Sequence, residues 1–201
     1  MKRIILASAS PRRKQLLEQI GVPFQIVRSD IEEEHIKSED SHHKLAQRLS
    51  LGKARAVGKT HKNAIIIAAD TIVVFQKRII GKPKTEANAS KILKLLCGKT
   101  HKVITGFTII DSESRKSVTK SVETKVKMKA LTDEEIKSYV KTKEPLDKAG
   151  GYGIQEKGAM LIESIKGDYF NVVGLPLAAL SEELKKFGIR PFTQTLSGRA
   201  F

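Results

Sequence analysis

At 201 residues with 40% hydrophobic composition, the chain is long enough to bury a core and too apolar for default disorder. Lys+Arg 37 against Asp+Glu 22 leave a net charge of +15, which draws polyanions, but aromatics at 5% and no Trp give few platforms for stacking bases, so nucleic acid is the weaker partner. No apolar run approaches the roughly 20 residues of a membrane span, the run behind Met1 is too short for a secretory signal, and one cysteine without a disulfide partner suits a reducing compartment, so a soluble cytoplasmic protein is expected.

Ile4 to Ala7 reads as a strand that empties into Ser8-Ala9-Ser10-Pro11-Arg12-Arg13. Ser10 suits a helix N-cap and Pro11 the first helical position, so backbone N–H groups and the positive end of a helix would face a bound phosphate, with Arg12 and Arg13 adding fork-shaped charge. An ordinary capped helix with two solvated arginines reads the same. The helix runs from Pro11 to Ile20 with Leu16, Leu17 and Ile20 on one face, and a strand follows over Phe24 to Val27. Glu32, Glu33 and Glu34 are either a solvated loop or, if one lies beside a second carboxylate, a seat for a hard cation.

Ser41 to about Val57 is a predicted helix, and Ala64 to Ala69 a buried strand ending at Asp70. A carboxylate beyond a strand's carboxyl end is well placed for catalysis, and equally well placed to cap a turn. Ile72 to Phe75 and Arg78 to Ile80 suggest a hairpin around Gln76-Lys77, residues poorly matched to the favoured turns. Lys53, and Lys82 within Gly81-Lys82-Pro83, offer point charges to a polyphosphate, although most lysines simply face solvent.

Thr85 to Cys97 is a predicted helix stopped by Gly98, with Cys97 as a core thiol. Val103 to Asp111 and Ser117 to Lys129 form a long hairpin, and Thr132-Asp133-Glu134-Glu135 is a capping box opening a helix to Thr142. Gly150-Gly151-Tyr152-Gly153 reads as a tight loop, Tyr169 to Val173 as a strand, and Leu175 to Phe187 as a last helix stopped by Gly188. The five histidines lack zinc spacing, and neither a Gly-x-Ser-x-Gly elbow nor a Walker loop occurs. The pattern predicts an α/β fold, a mixed twisted sheet with flanking helices, in one domain over 1–190 with a tail over 191–201, and two lobes around a cleft would satisfy the same pattern.

Read together, Leu6 to Arg13, Ala68 to Val73, Gly81-Lys82-Pro83, Thr105-Gly106, Asp147 to Gln155 and Asn171 to Pro176 closely resemble the Maf family, over nearly the whole chain. The resemblance implies a nucleoside triphosphate pyrophosphatase with an architecture like that of inosine triphosphate pyrophosphatases, acting between the α and β phosphates with a divalent cation, Mg²⁺ or Mn²⁺. It implies Asp70 as proton acceptor and, with Glu33, as metal ligand. Ser8, Arg12, Arg13, Lys53 and Lys82 are implied at the phosphates, and Asp147 elsewhere in the site. Arg12, Thr71 and Gln155 resemble the specificity set of the branch acting on dTTP and UTP. Members similar to this chain are commonly homodimers. A non-catalytic regulator binding nucleotide or nucleic acid, and the branch acting on 7-methyl-GTP, are the alternatives. Glu156 departs from the small residue expected after Gln155.

Overall fold

β1 (Arg3–Leu6) forms from an apolar run whose Ile4, Ile5 and Leu6 are all buried, and the chain then turns into α1 (Pro11–Gln19). A computed structural model describes residues 2–29 and 41–191; Glu32, Glu33 and Glu34 and the tail beyond residue 191 lie outside the described residues. β2 (Gln25–Ile26) follows α1, then α2 (His42–Thr60), capped by Ser41 as its sequence predicts. β3 (Ala64–Phe75) and β4 (Arg78–Ile80) come next, then α3 (Glu86–Leu96), β5 (Thr100–Asp111), β6 (Ser117–Met128) and α4 (Asp133–Lys141). Three 3-10 turns, Glu144–Asp147, Ala149–Gly151 and Lys157–Leu161, lead to β7 (Ile162–Lys166), α5 (Tyr169–Val173) and α6 (Leu177–Lys185).

The strands make one seven-stranded sheet in the order β2-β1-β3-β5-β6-β7, with β4 also paired to β3. β1 runs parallel to β2 and to β3, with Leu6 opposite Ile67, whereas β3–β4 and β6–β7 are antiparallel, so the sheet is mixed as expected. Two compact units share these strands. One holds the described parts of Met1–Asp70, Gly106–Ser121 and Gly174–Phe201; the other holds Thr71–Thr105 and Val122–Val173.

In the first unit, Ala54 and Val57 of α2 pack on Ile5, Ala64, Ile66 and Ala68. Small residues on both surfaces let helix and sheet approach closely. The approach is close at Gly106 of β5, where a Cβ would lie 2.1 Å from the Ala46 carbonyl oxygen and 2.6 Å from the backbone nitrogen of Gln47. That contact explains why a glycine stands in the middle of a strand, a position where it otherwise weakens the ladder.

In the second unit, α3 and α4 bury Ala89, Leu93, Leu96, Ile136, Tyr139 and Val140 among Val73, Phe75, Val103, Val126 and Met128. The α4 capping box is present as read from Thr132 and Glu135. Gly98, at φ +66, turns the chain out of α3. Cys97 is only half-buried and its Sγ accepts from the Leu131 amide at 3.0 Å, so it is an edge thiol rather than a core one.

Tyr169 to Val173 is a helix, not the expected strand. The Asp168 carboxylate accepts from the backbone N–H groups of Phe170 (2.7 Å) and Asn171 (3.2 Å), an N-terminal cap that overrides the strand preference of Tyr, Phe and Val. The strand here is β7, whose alternation was too short and polar to stand out.

His101 and Tyr152 are both buried, with Nε2 2.6 Å from the phenolic oxygen and Nδ1 unpartnered among the described residues. Burial holds the imidazole down at about 4 against an ordinary 6.5. The folded state keeps this ring neutral while the unfolded chain protonates it, so the associated stability is whole above pH 6.5 and lost as pH falls towards 4. The expected loss is about 3 kcal/mol. Urea midpoints followed down this range should fall, and His101→Gln should flatten that part of the curve; parallel curves for the two proteins would overturn the assignment.

Candidate active site

The first turn of α1 is built as its residue types dictate. Ser10 is extended and its side chain accepts from the Arg13 amide, and Pro11 occupies the first helical position. The Ser8 hydroxyl oxygen accepts from the Ser10 amide at 3.2 Å and from an Arg13 guanidinium nitrogen at 3.3 Å. Arg13 Nε donates to the Gly174 carbonyl at 2.9 Å. Arg13 therefore braces the turn, with part of its donor fork spent on the protein. Arg12 is half-buried and has no hydrogen bond or ion pair among the described residues. No acidic side chain sits in the first turn, so the helix end and Arg12 add positive charge there.

Asp70 does not end a strand. β3 continues to Phe75, so Asp70 lies mid-strand, buried to 7% exposure. Its Oδ1 is bound by Lys53 Nζ, which reaches down from α2, and the pair is nearly dehydrated, with side chains 12% and 10% exposed. A buried carboxylate survives beside a partner of opposite charge, and losing either would strand a charge away from water. With Oδ1 engaged by the ammonium, Oδ2 has no partner among the described residues. Leu6 sits opposite Ile67 and the Ala7 amide donates to the Ile67 carbonyl at 2.7 Å, so Ser8 leaves β1 alongside the Ala68–Asp70 stretch of β3.

The second unit holds the other expected residues. The Thr71 hydroxyl is 2.9 Å from that of Thr105, which donates to the Asn171 carbonyl at 2.9 Å. Lys82 is exposed and without an ion pair among the described residues, in a turn tied down by the Gly150 amide donating to the Gly81 carbonyl at 3.2 Å. Asp147 is exposed and lies 3.1 Å from Lys148 Nζ, and Gln155 is exposed. Within the first unit the fold joins Ser8 to Arg13 and Lys53 to Asp70; Glu33 lies outside the described residues.

Sequence reasoning assigned nothing to Lys148, which is 7% exposed and donates to the Glu144 carbonyl at 2.9 Å. Tyr139 and Glu144 were missed too. The Tyr139 hydroxyl donates to Glu144 Oε1 at 2.9 Å, and burial pushes its ionisation far up, so it stays a donor. One lysine among many gives no signal of burial; for Tyr139, its place on the apolar face of α4 was the only hint.

For a divalent cation, Asp70 supplies hard oxygen chemistry of the right kind, and no cluster of three or more His, Cys, Asp or Glu occurs among the described residues. One carboxylate suits a Mg²⁺-like ion that keeps waters and takes phosphate oxygens from its substrate.

The family described as Maf-like protein matches residues 3–187. A dTTP/UTP pyrophosphatase of Bacillus mycoides is 53% identical over 187 residues, covering 93% of this chain and 96% of its own length. Those of Bacillus cytotoxicus and Bacillus cereus are each 52% identical, over 93% and 94% of this chain and 96% and 92% of their own lengths. Among solved structures, a HAM1 protein from Coxiella burnetii superposes loosely, at TM-score 0.47 and 17% identity over 92% of this chain and 100% of that one. A family match that spans β1 to the end of α6, with relatives identical at half of all positions, leaves one assignment: the chain belongs to the Maf family.

Proposed function

We propose that this protein hydrolyses dTTP and UTP to the nucleoside monophosphate and pyrophosphate. The observation that carries the reading is the buried Asp70–Lys53 pair, one carboxylate held by one cation, in a chain whose relatives at about half identity are named for that activity.

Water attacks the α-phosphorus, its oxygen forming the new O–P bond as the bond from the α-phosphorus to the bridging oxygen breaks. Asp70 takes the proton that the water loses and releases it to solvent, and pyrophosphate departs with the bridging oxygen. Arg12, Arg13 and Lys53 oppose the charge that gathers on the phosphates, and Ser8 orients the α1 turn that presents the two arginines. Placing charge in advance in this way supplies much of the rate of such reactions. The same reading gives Lys82 a phosphate contact. Asp70, with Glu33, would hold a divalent cation, Mg²⁺ or Mn²⁺, whose chemistry is Lewis-acid neutralisation of phosphate oxygens.

For the base, the Gln155 amide accepts from N3–H of uracil or thymine and donates to O4, whereas cytosine offers the opposite pattern. Arg12 and Thr71 complete the selection. The 5-methyl group leaves this edge unchanged, so both bases are taken. A single cysteine and no apolar helix long enough to cross a membrane, among the described residues, accord with work on a cytoplasmic nucleotide pool.

A panel of ribo- and deoxyribonucleoside triphosphates with Mg²⁺ or Mn²⁺ tests the reading. Pyrophosphate should appear from dTTP and UTP ahead of CTP and the purine nucleotides, without added nucleic acid. Release of orthophosphate instead, or preference for 7-methyl-GTP, would overturn it.

A further inference from the structure

The stretch from Gly153 to Gly158 is a loop whose two ends are held by the same pair of side chains. At its start, the Gly153 amide donates to the Tyr139 hydroxyl oxygen at 3.2 Å. At its end, the Lys157 amide donates to Glu144 Oε2 at 3.1 Å and the Gly158 amide to Oε1 at 3.0 Å. Tyr139 donates its own proton to Glu144 Oε1 at 2.9 Å, which closes the ring.

The two ends meet so tightly at Gly158 that no side chain fits there, and Gly153 stands close against the side chain of Lys148. A Cβ on Gly158 would lie 2.5 Å from the Gly153 carbonyl oxygen and 2.6 Å from the Tyr139 hydroxyl, and one on Gly153 would lie 2.8 Å from Lys148 Cε. Three residues bulge from the closed neck, and of these Gln155 and Glu156 are exposed. Glu156 lies 3.7 Å from the buried Lys148 ammonium.

We propose that Tyr139 and Glu144 form a clasp that fixes the 153–158 loop and so positions Gln155, making both of them positioning residues for base selection. The proposal rests on the reading that Gln155 contacts the base. The physical reason is entropy. An exposed glutamine on an open loop would search many backbone states before pairing, whereas a neck closed by four hydrogen bonds has met that cost during folding.

The test is the UTP-over-CTP ratio of kcat/KM in the full-length protein. Tyr139→Phe keeps the buried ring and removes the hydroxyl at the centre of the clasp. The ratio should fall about tenfold through a raised KM for UTP, with kcat within about twofold. A merely structural loss would lower the active fraction and kcat for both nucleotides alike, leaving KM and the ratio unmoved. Glu144→Gln, which keeps one acceptor oxygen, should give an intermediate ratio and carries the same test should Tyr139→Phe fold poorly. In a Gln155→Ala background, Tyr139→Phe should no longer change the ratio, because the two then act through one contact. A ratio that collapses with Gln155→Ala but is untouched by Tyr139→Phe and Glu144→Gln overturns the clasp alone. A ratio unmoved by Gln155→Ala overturns the base contact and, with it, the purpose of the clasp.

Discussion

Replacing Asp70 with Asn is expected to lower kcat/KM for UTP by about 10² to 10⁴, the usual effect of losing a positioned general base. The substitution keeps the shape of the side chain and an oxygen for the Lys53 ammonium, but that oxygen takes no proton from water at neutral pH. It also removes one charge from a buried pair in which each side chain is roughly a tenth exposed. Outright loss of a partner from such a pair costs about 3–5 kcal/mol, and an isostere that still accepts a hydrogen bond costs less. The variant should therefore unfold cooperatively at a lower temperature while giving the same circular dichroism below its midpoint. Pyrophosphate release within about twofold of the parent, measured well below that midpoint, would remove Asp70 from the chemistry.

The position of Asp70 also shows where the sequence was legible and where it was not. Local signals were readable. Ser10 and Pro11 mark the start of α1, Thr132 to Glu135 the start of α4, and Gly98 the end of α3, because each acts on the backbone within a turn of itself. The β3–β4 hairpin was readable too, although Gln76 and Lys77 take the left-handed conformation at φ 48 and 66 that Asn and Gly adopt more readily.

What sequence could not supply was the partner of a polar residue. The Asp70-Thr71 step reads as a strand's end, since two polar residues interrupt an apolar run. In the fold the run continues, because Lys53 comes from 17 residues upstream to meet Asp70 and Thr105 from 34 residues downstream to meet Thr71. The clasp at Tyr139 and Glu144 was hidden for the same reason: its members join segments up to 14 residues apart through backbone amides that carry no mark in the sequence. Tyr169 to Val173 failed differently. Its aromatic and β-branched composition reads as strand, whereas the Asp168 carboxylate caps a helix there.

The largest expected loss of stability comes from a residue with no chemistry. Gly106→Val should leave the protein largely insoluble, because its Cβ alone would stand 2.1 Å from the Ala46 carbonyl oxygen of α2. A flexible neighbour could swing away, but here the obstacle is helix backbone, whose hydrogen bonds and buried Leu45 and Ala46 hold it against the sheet. Overpacking of an ordinary core costs about 1–3 kcal/mol, and displacing a whole helix reaches or exceeds the top of that range. Against a typical net stability of about 5–15 kcal/mol, the change removes a large share of what holds the first unit together. Gly106→Ala should already lower the urea midpoint clearly. Gly81→Ala is the matched control: nothing lies within 4 Å of a Cβ there, and the change should stay within about 0.5 kcal/mol. Equal midpoints for Gly106→Ala and Gly81→Ala would mean that α2 can retreat from β5 at little cost, and the close approach would then not be what requires a glycine at 106.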